Sequence, residues 1–218
     1  MTASDPTPPA AGAAVDATGG DVLPLDPRSL RALAHPLRMR LLSALRDHGP
    51  ATASSLAARL GESSGATSYH LRQLAAHGFV EDDPDRGNGR ERWWRAVHRG
   101  TSLDTARNFL DHPDPEVRGA LDTYLHEVAT DHAAQLGTWL GTLQDWPDAW
   151  RESGDLSSFT LRLTPELAAE LGAKVHALIE SYRGLLPEPP AGEHPRSPAA
   201  DGSATVRLHF HAFPRQAD

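Results

Sequence analysis

A chain of 218 residues is long enough to bury a real core, in one large domain or two small ones. It has no cysteine, which excludes disulfides, thiolate metal sites and a cysteine nucleophile, and no apolar run approaches the roughly 18 residues of a membrane span. The net charge of −8 is unevenly spread: residues 1–27 carry −4, residues 28–100 carry +5 and residues 101–218 carry −9, so a basic module is expected beside an acidic one.

Residues 1 to about 24 are rich in Pro, Ala, Gly and Thr without periodicity, and a disordered tail is expected there. No positive stretch followed by an apolar core opens the chain, so no secretion signal is expected and the cytoplasm is the expected location. From "DPRSLRALAHPLRMRLLSALRDHG" onward the pattern is helical. Leu30, Leu33 and Ala34 predict a short helix that ends near His35, because Pro36 restricts the residue before it. Pro36 suits the first turn of a second helix, with Leu37, Leu41, Leu42 and Leu45 on one face. Thr52 is placed to cap a third helix carrying Leu56, Ala57 and Leu60 and ended by Gly61. Ser63 is placed to cap a fourth. Helix, tight turn, helix is the helix-turn-helix arrangement. Beyond Gly78, "FVEDD" and "RERWWRAVH" read as two strands around the polar loop "PDRGNG", a hairpin that forms a wing.

Residues 115–144 keep an apolar stripe through Val117, Leu121, Tyr124, Leu125, Val128, Leu136, Trp139, Leu140 and Leu143, as one long helix does. "SFTLRL" alternates as a strand, Thr164, Pro165 and Glu166 start a further helix, and "TVRLHFHAF" reads as a closing strand paired with residues 158–163. The expected fold is mainly α with small β. A disordered tail (1–24) precedes a winged helix-turn-helix (25–100), a helical dimerisation or linker region (101–145), and a small α+β module (146–218) with a mobile loop at 184–204.

On a helix starting at Ser64, the residues Thr67, Leu71 and Leu74 share the inner side. Gly65, Ser68, Tyr69, Arg72 and Gln73 fall opposite, with Ser64 and Ala66 at the exposed N-terminal end. A recognition helix lays that face and that end into the major groove. Arg bonds guanine, Gln bonds adenine, and Tyr reaches a phosphate or a thymine methyl. A merely solvated polar face is the competing reading. Against it stand Arg86, Arg90, Arg92 and Arg95 on and around the hairpin, placed for phosphates or a narrow minor groove.

The phrases "ALAHPLRMRLL", "SSLAARLG", "SYHLRQLAAHGFV" and "GRERWWRA" resemble the winged helix-turn-helix of ArsR-type bacterial transcription regulators. The resemblance covers roughly residues 28–99, about a third of the chain. It implies a homodimeric repressor or activator on double-stranded DNA, with one recognition helix per half-site. By motif, Ser64, Ala66, Ser68, Tyr69 and His70 fall in the DNA-reading turn, and Arg86, Arg90 and Arg92 in the wing. The metal-sensing members' cysteine ligands are missing, so arsenic sensing is not implied. The C-terminal part resembles an extension of actinobacterial relatives with no assigned ligand.

Other features have plainer readings. His209 and His211 share one face of the expected strand and, with His126 or His132, have the chemistry of a Zn or Ni site. The interleaved Val206, Leu208 and Phe210 favour exposed strand histidines, and no metal or other cofactor is expected. Asp122–His126 and Glu127–Asp131 read as helix-surface pairs, and His35 as a cap. One of Trp93 and Trp94 is expected to be buried; Trp139, Trp146 and Trp150 are expected to pack as core or to line an effector pocket. No phosphate loop, nucleophile elbow or metalloprotease motif marks an enzyme. The expected function is sequence-specific regulation of transcription, with an unknown small-molecule or protein effector as a possible further partner. The rival is a winged-helix protein-interaction module that does not bind DNA. A weaker third reading is a small-molecule enzyme built on residues 150–213.

Overall fold

Caps and turn residues set the ends of the N-terminal helices in the computed structural model, which describes residues 22–83, 86, 91–103, 106–186 and 198–215. Helix α1 (Pro27–Leu33) opens on Asp26, whose carboxylate accepts from the Ser29 amide at 2.6 Å while the Ser29 hydroxyl accepts from the Asp26 amide. Helix α2 (Pro36–His48) opens on His35, whose Nδ1 accepts from the Leu37 amide at 3.2 Å, so this histidine is a cap as expected. Thr52 and Ser55 form a second capping box at α3 (Ala53–Leu60), and Gly61 ends it at φ +68°, a conformation that favours glycine. Ser63 accepts from the Ala66 amide and starts α4 (Ser64–Ala76). Arg40 on α2 reaches the turn between α3 and α4, bonding the Leu60 carbonyl at 2.7 Å and pairing with Glu62 at 3.2 Å. That contact ties α2 to the turn from outside.

Strands β3 (Val80–Asp82) and β4 (Trp93–Ala96) form the expected antiparallel hairpin, with Glu81 opposite Arg95 and Asp82 opposite Trp94. A short β2 (Ala51–Thr52) pairs with the other edge of β4, giving the order β2-β4-β3. Residues 22–24 depart from expectation. Instead of extending a tail they form β1 (Val22–Pro24), parallel to β5 (Gly100–Ser102), and Leu25 follows into the core. The partner lies far along the chain, so no local signal announces the pairing. The rest of the expected tail, residues 1–21, lies outside the described residues, as do 187–197 of the expected mobile loop.

All the described buried apolar residues fall between Leu25 and Leu121. Leu30, Leu33, Leu41, Leu42, Leu56, Leu71, Leu74 and Phe79 make the centre, roofed by Trp94 and closed by Phe109 with Val117 and Leu121. The last two belong to α6 (Pro115–Thr142), which follows the short α5 (Ala106–Leu110) and packs on α1. Beyond Leu121 the stripe of α6 is only partly covered: Tyr124 still packs against the core, but Leu125, Leu136 and Leu140 are exposed. A 3-10 turn (Leu143–Asp145), α7 (Asp148–Ser153) and α8 (Pro165–Tyr182) complete the helices.

The two C-terminal strands are not formed. Residues 158–163 and 204–213 have no regular secondary structure, and Phe159 and Leu161 stand 83% and 63% exposed. An alternating pattern says that a segment fits a pleated surface but does not supply the neighbour whose amides complete it. Isolated contacts tie down the later segment instead: Arg207 pairs with Asp47 of α2 at 2.5 Å, and just before it the Gly202 carbonyl accepts from the Trp150 indole at 3.1 Å. The chain is mainly helical with small sheets.

Candidate nucleic-acid interface

Helix α4 turns the predicted inner residues Thr67, Leu71 and Leu74 into the core, and this places the opposite face outward. Ser64, Tyr69 and Arg72 are exposed; Ala66, Ser68 and Gln73 are half-buried beside them. His70 departs from this group. Its ring lies 4.4 Å from that of His35, tilted against it, and its Nδ1 is buried. Residue 70 lies three positions after the inward Thr67, so it sits at the flank facing α2 rather than on the outward face. Burial, His35 and Arg38 together hold the His70 imidazole below its ordinary range, and burial with Arg38 does the same for His35. Both rings are therefore neutral at pH 7, as suits a packed pair.

The wing supplies the rest. Arg92 leaves the start of β4, its Nε 2.9 Å from Asp82 and its guanidinium 5.2 Å from the centre of the Trp94 ring. Trp94 is buried and Trp93 half-buried, so the pair splits across the strand as expected. Arg86 stands 3.7 Å from the buried Asp83. Arg90 lies outside the described residues.

Ser68 and Arg72 of α4 and Glu91, Arg92 and Trp94 of the wing meet Thr52, Ala53 and Ser54 around a cleft of about 300 Å³. Three elements thus converge on one concave surface. The N-terminal residues of α3 and the guanidinium groups of Arg72 and Arg92 line it, groups suited to an anion such as a phosphate, with the carboxylates of Glu91 in the cleft and Asp82 on Arg92 as the opposing charges. The contribution of Thr52–Ser54 was not singled out from sequence as part of a binding surface. Its signal was present, since a Thr cap followed by small residues leaves helix-end amides accessible, but only the folded β2–β4 pairing carries that cap beside Arg72.

The remaining candidates sort differently. His132 meets the two histidines of the C-terminal segment: its Nδ1 is 3.1 Å from His211 Nε2, and its ring stacks on His209 at 3.8 Å. His126 instead faces Asp122 on its own helix. Among the described residues no group of three or more histidine or carboxylate side chains is disposed to hold a metal ion. Trp146 and Trp150 meet edge to face at 6.3 Å, both half-buried beyond the end of α6 rather than packed in a core. Among the described residues no helix is long and apolar enough to cross a membrane.

Residues 33–83 match a family described as a helix-turn-helix domain. The N-terminal part of the chain carries a helix-turn-helix domain. That match spans α2 through β3 and contains both helices and the turn that bring Ser68 and Arg72 to the cleft. Similar solved structures include a possible transcriptional regulator for arsenical resistance, at 29% identity over 52% of this chain and 95% of that one, with a TM-score of 0.29. A transcriptional regulator from Thermotoga maritima is 15% identical over 54% of this chain and 80% of that one, TM-score 0.29. ZitR of Lactococcus lactis is 16% identical over 72% and 86%, TM-score 0.28. None of the curated protein sequences matches the chain.

Proposed function

We propose that this protein is a sequence-specific, DNA-binding regulator of transcription of the ArsR type, working as a homodimer in the cytoplasm without catalysing a reaction. The observation that carries the reading is the convergence of the outward face of α4, the cap of α3 and Arg92 of the wing on one concave surface. Ser68, Tyr69, Arg72 and Gln73 read bases in the major groove, Ser64 and Ala66 allow close approach at the helix start, and Arg86, Arg90 and Arg92 take the backbone or the minor groove. His70, turned toward His35, positions α4 rather than reading bases. The apolar residues left uncovered along α6 and in residues 156–213 support dimerisation or the docking of an effector by the acidic C-terminal half.

The test is binding of the full chain and of Arg72→Ala to a selected operator duplex and to random duplex across a salt series. The wild type is expected to prefer the operator, with half-sites about one helical turn apart. Arg72→Ala is expected to lose about 1–3 kcal/mol on the operator and to relax discrimination at one position if it reads a base. If Arg72 holds a phosphate, affinity falls for every sequence and the salt slope drops by about one. Indifference of both duplexes to the substitution favours the rival reading, a protein-interaction module.

A further inference from the structure

Each described arginine of the wing is met by a carboxylate of the strand or turn before it. Glu81 holds Arg95 at 2.8 Å across the β3–β4 register, Asp82 holds Arg92 at 2.9 Å, and Asp83 lies 3.7 Å from Arg86. Asp83 is buried and belongs to the frame of the hairpin. Glu81 and Asp82 are different, because their side chains are about half exposed and their arginine partners are exposed as well. Among the described residues, the arginine charge of the wing is therefore already answered.

We infer that Asp82, with Glu81 in support, sets the selectivity of the wing by competing with phosphate for its arginines. This rests on the DNA-binding reading above. Arg92 shares the cleft with Arg72 and Ser68 of the recognition face. While Asp82 holds it, the pair brings no net charge to an approaching duplex, and counterion release at that contact is small. An exposed ion pair is weak and screened by salt, so a phosphate seated at the right distance displaces the carboxylate. A duplex that fits α4 brings its backbone to that distance; one that does not fit leaves Asp82 in place as a repulsive charge. Discrimination by an internal repulsive element is a general route to specificity.

Asp82 has a second effect of opposite sign, since it also holds Arg92 in position. The Trp94 ring beneath the guanidinium supports that position independently. Removing the carboxylate therefore takes away more repulsion than order, and binding to arbitrary DNA gains.

The experiment compares full-length wild type, Asp82→Asn and Glu116→Gln by fluorescence anisotropy on random duplex and on the tightest duplex from a selection. Glu116→Gln makes the same change in net charge on α6, where its carboxylate pairs with Arg31. Asp82→Asn is expected to bind random duplex three- to tenfold tighter at 100 mM salt, with a salt slope steeper by about one, and to lose discrimination between the two duplexes. Glu116→Gln is expected to change either affinity by less than twofold. Adding Arg92→Gln to Asp82→Asn is expected to erase the gain. Unchanged or weaker random binding by Asp82→Asn, with the wild type bound and both folded, overturns the inference and leaves the pair as a strut of the hairpin. A wild type that binds neither duplex at 50 mM salt overturns the DNA-binding reading itself.

Discussion

Thr67 offers a sharp test of how α4 is seated. It lies on the inner face, 0% exposed, and its hydroxyl has no hydrogen-bonding partner among the described residues. A buried polar group left unpaired costs about 1–3 kcal/mol. Thr67→Val keeps the β-branched shape, has nearly the same helix propensity, and replaces the hydroxyl with a methyl suited to neighbours such as Leu71 and Leu74. A full gain is not expected, because the added methyl must find its contacts in a packed site and overpacking carries its own penalty. The expected stabilisation is about 1–2 kcal/mol. For a cooperative unit of 60–100 residues, each kcal/mol raises Tm by roughly 4–8 °C. Urea unfolding followed by circular dichroism gives the difference directly, provided the slope with denaturant is unchanged. Affinity for DNA is expected to stay within twofold, since residue 67 faces away from the cleft. Destabilisation by more than about 1 kcal/mol would refute the reasoning and show that the hydroxyl is bonded, the carbonyl of Ser63 one turn earlier being the nearest candidate class of partner.

Two further predictions concern the core and the C-terminal segment. Leu74→Ala removes a fully buried side chain and is expected to cost about 2–5 kcal/mol by urea unfolding; a loss under 1 kcal/mol would mean that the helix is not seated on the core as described. At the other end of the chain, burial and the neighbouring His209 and His211 lower the His132 imidazole, and burial, Arg207 and His211 lower that of His209, with Asp131 opposing both. For bases whose folded values lie below their unfolded ones, the unfolded segment takes up protons first. The contribution to stability is thus complete above about pH 6.5 and is lost as the pH falls toward the lowered folded values. Histidine NMR titration is expected to place both midpoints below 6.5, with amide exchange in residues 204–213 accelerating over the same range. Midpoints at or above 6.5 would contradict the packing of the three rings.

Local chemistry made the N-terminal architecture legible in the sequence. Thr52 and Ser63 sit where a helix needs an acceptor for its free amides, Pro36 where a missing N–H does no harm, and Gly61 where the backbone turns left-handed. The 3.6-residue spacing of Thr67, Leu71 and Leu74 named the inner face of α4, and by subtraction the outer one. These signals act within a turn or two of helix, so the order of residues carries them. The resemblance puts His70 in the DNA-reading turn beside Tyr69, but the turn of its ring toward His35 depends on another helix and is not written in the motif.

Only the tertiary structure decided what depends on partners distant along the chain. The pairing of Val22–Pro24 with Gly100–Ser102, the meeting of Thr52–Ser54 with Arg72 and Arg92, and the contact of His132 with His209 and His211 each join segments that share no local signal. The wing shows the difference most clearly. Sequence displays its arginines as free cations and its acids as an adjacent run, but the antiparallel register brings Glu81 against Arg95, and the hairpin brings Asp82 against Arg92. The C-terminal half shows the converse. Its alternating residues declare an affinity for a sheet, yet an extended segment becomes a strand only when another backbone completes its hydrogen bonds, and among the described residues none does so for residues 158–163 or 204–213.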